Sequence, residues 1–195
     1  TTERVDELKT LTAGSNAYTI VIAADDATGS TAAEFNTINA ATSVAIDASA
    51  VTGLASDTAS NIKTLLTAGN NTDQFTDTSF ASLTGVTVSD ETLDGSKLAD
   101  AIDQANLLTE DTSVVFTISA ATTIEGSEAN FTALLTDDGN NQIDIDDQNI
   151  SVSGTISVDN ANLLDAATLG TITASIDTDE TVTELKTLTG TTHAY

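Results

Sequence analysis

The feature that most constrains this chain is that it ends in its own beginning. Residues 1–18 read TTERVDELKTLTAGSNAY and residues 178–195 read TDETVTELKTLTGTTHAY. The two segments match at Thr1/Thr178, Glu3/Glu180 and Val5/Val182, without a break from Glu7–Thr12 to Glu184–Thr189, and again at Ala17-Tyr18 and Ala194-Tyr195. Self-similarity at a fixed spacing is the signature of repeat architectures. Residues 1–177 therefore read as one superperiod and 178–195 as the first coil of the next copy. The opening on Thr1 without an initiator methionine fits a fragment or a processed product.

A shorter rhythm runs inside the superperiod. Helix-like and strand-like segments alternate about six times, roughly 30 residues per turn. Helical spacing of apolar residues predicts helices over 2–12, from Thr31 onward, over 57–67, 96–108, 128–136 and, weakly, 160–168. Thr31-Ala32-Ala33-Glu34 has the form of a capping box. Ser56 or Asp57 is expected to cap the third helix, and Ser127 precedes the fifth. Strands are expected at 18–23, 43–48 with 51–54, 82–88, 113–119 with 122–124, 142–145, 150–158 and 171–176. The polar stretches Gly69–Asp77 and Asp137–Asn149 read as inserted loops.

One such unit cannot bury its apolar side alone, whereas stacked units share a continuous core. Strands separated by helices tend to run parallel. The expected fold is therefore α/β: a repeat solenoid of about six strand–short-helix coils with parallel β-sheets. The competing fold is a globular doubly wound α/β domain. That fold favours longer helices and near-continuous hydrophobic strands, while here the strands alternate and the helices are short.

Composition narrows the function classes. The chain has no Cys, Met, Trp or Pro, two Tyr and five Phe, so its core is built from Ala, Val, Leu and Ile. Thirty acidic residues stand against five basic ones, a net charge of −25. Such a field repels nucleic acid and anionic lipid, and it suits a saline or calcium-rich exterior. The lack of Cys excludes disulfides and thiolate metal sites and leans towards exported surface proteins. No apolar run approaches the ~18 residues of a membrane span, so no membrane insertion is expected.

The segments SVAIDASAVTGLASDTASNIKTLLTAG and ATTIEGSEANFTALLTDDG resemble the repeats of very long, acidic, Thr/Ala-rich proteins of the bacterial cell surface, most like the giant repeat proteins of marine picocyanobacteria. The resemblance implies an extracellular or cell-surface structural protein, and it brings no catalytic residues with it.

The best candidate for ligand chemistry is the acidic loop. Asp137, Asp138, Asn140, Asp144, Asp146 and Asp147 offer closely spaced hard oxygen donors, the donor type that Ca²⁺ takes. The loop matches neither the EF-hand nor the glycine-rich nonapeptide of β-rolls, and a solvated acidic loop is the competing reading. In IDID the two aspartates are expected to share the solvent face of a strand. Asp25/Asp26 and Asp177/Asp179 read as turn and cap residues. His193 is the single histidine and faces Asn16 in the repeat, so it reads as a surface turn residue. Tyr18 and Tyr195 are expected to pack in the core. Thr171-Ile172-Thr173 is the only Thr-x-Thr within the expected strands, too little for an ice-binding array. Acid pairs without aromatic platforms make a glycosidase improbable, and no enzyme activity is expected. The function expected is an extracellular structural repeat that joins copies of itself head to tail into a fibre, filament or surface layer. The alternative is an adhesin or calcium-dependent module whose loops at 69–77 and 137–149 meet cell-surface polysaccharide.

Overall fold

A computed structural model describes residues 2–12, 14, 16–23, 28–110, 113–190 and 193–195. In chain order the elements are β1 (Thr2–Glu3), α1 (Val5–Leu8), β2 (Val21–Ile22), α2 (Ala32–Ala41), β3 (Gly53–Asp57), α3 (Ala59–Gly69), β4 (Gly85–Val88), β5 (Thr92–Asp94), α4 (Gly95–Thr109), β6 (Val115–Thr117), β7 (Thr123–Gly126), α5 (Glu128–Gly139), β8 (Asn149–Ile156), α6 (Val158–Ala167), β9 (Ile172–Ile176) and α7 (Val182–Leu185).

Every strand pairing among the described residues is parallel. The strands form three sheets, β1-β2, β3-β4-β6 and β5-β7-β8-β9. Register partners step along the chain by about 30 residues in the second sheet, as in Gly53↔Gly85↔Val115. They also stack like residues on like. Leu93, Ile124, Ile150 and Ile172 occupy one level of the third sheet, and all four are buried. Leu54, Val86 and Phe116 do the same in the second. Sealing each such side chain from water contributes roughly 1.5–3 kcal/mol. The helices follow the same order: α1 packs on α2, α2 on α3, α3 on α4, α4 on α5 and α5 on α6. The architecture is mixed α/β with parallel sheets, a description common to the solenoid and the doubly wound alternative.

Local chemistry sets the helix starts. Thr31 and Glu34 close the expected capping box on α2, and Ser127 caps α5 with Asn130 as its partner. α3 is capped by Thr58, not by Ser56 or Asp57. Asp57 is instead bound across two helices. Its Oδ2 accepts the Ala33 N–H of α2 at 2.7 Å, and its Oδ1 accepts Thr58 N and Asn61 Nδ2 at the start of α3. The pattern recurs. Asp90 accepts Ala59 N in α3 at 2.7 Å, and Glu180 accepts Val158 N in α6 at 2.9 Å. Each carboxylate satisfies an N–H that an isolated helix leaves open, and it sits at the positive end of the helix dipole. Side-chain amides tie the helices lower down: Asn36 to Asn61, Asn70 to Gln104, and Asn106 to Gln142.

Several expectations change. The helix expected over 2–12 is a two-residue strand and a single helical turn. Of the strand expected at 43–48, only Ile46 and Asp47 pair, through isolated bridges. Gln142–Ile145 is not a strand. Ile143 and Ile145 are buried and Asp144 is exposed, so the alternation anchors a loop without a ladder. Residues 69–77 are not a solvated insertion: Phe75 is fully buried, pairs with Ile46 and meets Phe80 edge-on at 5.2 Å. Tyr18 and Tyr195 are 40% and 38% exposed, not core residues. The strand β5 has no counterpart in the sequence expectations. In α6 Leu164 is buried, whereas Leu163 faces solvent.

Candidate metal centre

The acidic stretch is divided by the end of α5. The helix runs through Gly139, so Asp137 and Asp138 lie in its last turn and point in different directions. Asp137 is 8% exposed. Burial, and then the nearby Asp103 carboxylate of α4, push its carboxyl up to about 6. It does not belong to the cluster formed by the acids that follow. Asn140 is exposed and serves as the C-cap of α5, and Asn141 takes a positive φ of 60° where the chain turns back.

Three of the six predicted residues come together. Carboxylate oxygens of Asp138, Asp144 and Asp146 lie within 4.8 Å of one another. The geometry follows from local hydrogen bonds. Asp138 Oδ1 accepts Ile145 N at 3.4 Å, which folds the loop back on the helix end. Asp144 Oδ1 accepts Asp146 N at 3.0 Å, an Asx turn that brings both side chains to the same side. Ile143 and Ile145 pin the loop from beneath. Burial, opposed by the Ile145 N–H and aided by Asp146 and Asp144, raises the Asp138 pKa. Asp147 lies beside the cluster and lines the same groove of about 640 Å³, which runs along β6. Gln148 lines this groove too, and its buried Oε1 has no hydrogen-bond partner among the described residues.

Three carboxylates this close repel one another, and a hard divalent cation would relieve that. Ca²⁺ takes six to eight oxygens at about 2.3–2.6 Å. Asp138, Asp144 and Asp146 could supply three side-chain ligands, with water from the open groove completing the shell. Asp137 is not part of the group. Asp177 and Asp179 are exposed turn residues as expected, and Asp25 and Asp26 lie outside the described residues.

His193 is the largest departure. Its side chain is 4% exposed, so it is not a surface turn residue. Nδ1 accepts the Ile172 N–H at 3.1 Å, and Nε2 lies 2.6 Å from Asp165 Oδ1. An imidazole that accepts at Nδ1 carries its proton at Nε2 and donates it to the carboxylate. The ring thus joins the last segment of chain to both β9 and α6. Asn162 does the same from α6, donating to Thr187 O and accepting Thr189 N. Asp165 is held below the usual carboxylate range by Thr189 and then His193. These partners lie more than twenty residues apart, beyond any local sequence pattern. The one available signal is that the only His in the chain sits in the echo.

Among the described residues no helix is long and apolar enough to cross a membrane. The chain matches no protein-family model, no curated protein and no solved structure.

Proposed function

We propose that this chain is one superperiod of an extracellular structural repeat protein of a bacterial cell surface, in which solenoid coils continue head to tail into a filament or layer. One observation carries the reading. The C-terminal echo adds to the preceding coil as another layer, through the parallel Thr173↔Ala194 bridge and hydrogen bonds on both sides of Ala194. The stepwise register and the helix-on-next-helix packing are compatible with a solenoid. The net charge of −25 would hold neighbouring filaments apart, and cell-surface polysaccharide is a compatible neighbour. The reading assigns no reaction to the chain.

The test is a tandem chain in which residues 1–195 run directly into 19–195. Small-angle scattering of a continuing solenoid gives a nearly doubled maximum dimension at an unchanged cross-section. A cross-section that grows, or two beads on a flexible link, overturns the proposal.

A second reading, a calcium-dependent surface-binding module, is favoured by the Asp138–Asp144–Asp146 cluster. It requires saturable Ca²⁺ binding by calorimetry that is lost in D144N/D146N, together with calcium-dependent retention on a glycan array. Without both, the cluster is only acidic surface.

A further inference from the structure

The echo segment is held to the preceding coil along two seams, and one side chain belongs to both. Towards β9, Ala194 N donates to Ile172 O and Ala174 N donates to Ala194 O, each at 2.9 Å. Ile172 N completes this seam by donating to His193 Nδ1 at 3.1 Å. Towards α6, Asn162 Oδ1 accepts Thr189 N at 2.8 Å, and its Nδ2 donates to Thr187 O at 3.0 Å. His193 Nε2 meets Asp165 Oδ1 on the same side at 2.6 Å. Among the described residues this imidazole is the one side chain of the segment hydrogen-bonded to both β9 and α6. Only a neutral ring can hold Ile172, because an imidazolium carries a proton on each nitrogen and accepts at neither. With its side chain 4% exposed, the ring has little water to turn to for a replacement partner.

Protonation therefore changes which seam the ring serves. A proton on Nδ1 sets one N–H against another across 3.1 Å, and the Ile172 bond is lost. The Asp165 contact survives and becomes a bond between opposite charges. Thr189 and then His193 hold that carboxyl below the usual carboxylate range, so it stays ionised throughout. Of the elements around the ring, β9 carries no ionisable side chain. In α6 the other acid, Asp159, lies in the first turn, while Asp165 lies in the last. Tyr195 has its ring centroid 5.8 Å away, and burial and then Asp165 push its hydroxyl above the ordinary value of 10.0, so it stays uncharged. We propose that His193 is a proton-operated coupling: when neutral it ties the segment to β9 as well as to α6, and when protonated it keeps Asp165 and releases Ile172. Mild acid then loosens the strand seam while the helix seam holds. The matching coil at the start of the chain has no such device. Asn16 stands in the place of His193, and its carbonyl oxygen accepts Ser43 N at 2.7 Å, a tie without a titrating member. The inference concerns bonds within one chain and does not rest on the filament reading.

The experiment follows the full ¹⁵N-labelled chain from about pH 8 to about pH 5, the range in which an imidazole ordinarily charges. The chain has a single histidine, so its ring nitrogens are assigned without ambiguity, and their shifts report the proton on Nδ1. Amide exchange at Ile172, corrected for its intrinsic dependence on pH, reports the bond to that nitrogen. One transition is expected in both signals, with Ile172 protection about tenfold lower on the acid side and Thr189 protection unchanged. His193→Asn is expected to keep Ile172 protection constant over the range, and Asp165→Asn to move both transitions together. Asp137 does not imitate the effect, because lowering the pH through its raised value stabilises the chain. A ring that gains its proton while Ile172 stays protected overturns the proposal. So does a ring that stays neutral across the range, or an equal loss of protection in His193→Asn. Should His193→Asn fail to fold, the agreement or disagreement of the two wild-type transitions decides alone.

Discussion

Asp57 Oδ2 accepts the N–H of Ala33 at 2.7 Å, while its other oxygen accepts Thr58 N and Asn61 Nδ2. One nearly buried carboxylate thus serves the first turns of two helices, α2 and α3. Asp57→Ala is expected to cost about 2–3 kcal/mol, because it strands donors at both helix starts. Asp90→Ala, which frees Ala59 N alone among the described residues, is expected to cost about 1 kcal/mol. Urea midpoints at an unchanged m-value measure both. Equal losses for the two variants would mean that Asp57 does not bridge.

Asp137 sets a pH dependence opposite in sign to that of a carboxylate stabilised by hydrogen bonds. Its ordinary value is 3.8, and in the folded chain it is raised to about 6. Between those values the folded state keeps a proton that the unfolded state has released. Stability therefore falls as pH rises through this window and is level above it. Asp137→Asn is expected to remove that slope and to gain about 1–2 kcal/mol at pH 7, less than the full shift converts to because the group retains some solvent. Glu34 and Glu128 act the other way. Their values are lowered, chiefly by Lys9 and by Asn160 respectively, so their contribution is present above the unfolded glutamate range and is lost as pH falls through the lowered values. Unfolding curves from pH 3 to 8 would separate the two; a D137N profile parallel to wild type would show that Asp137 titrates normally.

Gly190 and His193 are expected to act together on the last coil. Gly190 has a φ of 76°, and a Cβ there would stand 2.3 Å from His193 Cδ2. Gly190→Ala and His193→Ala should each raise amide exchange at Ile172 and Ala174 by about tenfold, with little effect on the global midpoint, because edge elements open locally. His193→Asn, the residue at the matching position 16, should restore part of the protection. Unchanged exchange at Ile172 would show that the imidazole is not its acceptor.

Residues 70–77 should not tolerate deletion. Phe75 is fully buried against Phe80, which in turn meets Phe35 at 5.6 Å. Phe75→Ala is expected to cost about 3–5 kcal/mol. Removing the segment should lose the cooperative transition. A stable deletion variant would return the segment to the status of an insertion.

What the sequence made legible was what is local. α4 and α5 announce themselves by apolar spacing, and α5 also by Ser127 at its start. Most expected strands overlap an observed one, but 142–145 forms none and 43–48 only isolated bridges, because pairing needs a neighbour as well as a pattern. Phe75 was hidden by the polar residues around it. Asp137 and Asp138 are adjacent in sequence, so they read as one acidic run, and the helical turn then separates them into a buried acid and a cluster member. His193 looked replaceable because its match is Asn16, while its partners Ile172 and Asp165 lie 21 and 28 residues away. Asp57 reads in the sequence as a cap for the helix that follows it; its second oxygen also reaches back to Ala33 N of the helix before it, which no local pattern announces.

That backward reach bears on the order in which the chain is made. α2 leaves the ribosome before Asp57 does, α3 before Asp90, and α6 before Glu180. Each helix is therefore synthesised with its first turn unfinished and is completed by carboxylates that emerge later. A growing array of this kind would always carry one incomplete turn at its newest edge, and each new segment would lock the one before it.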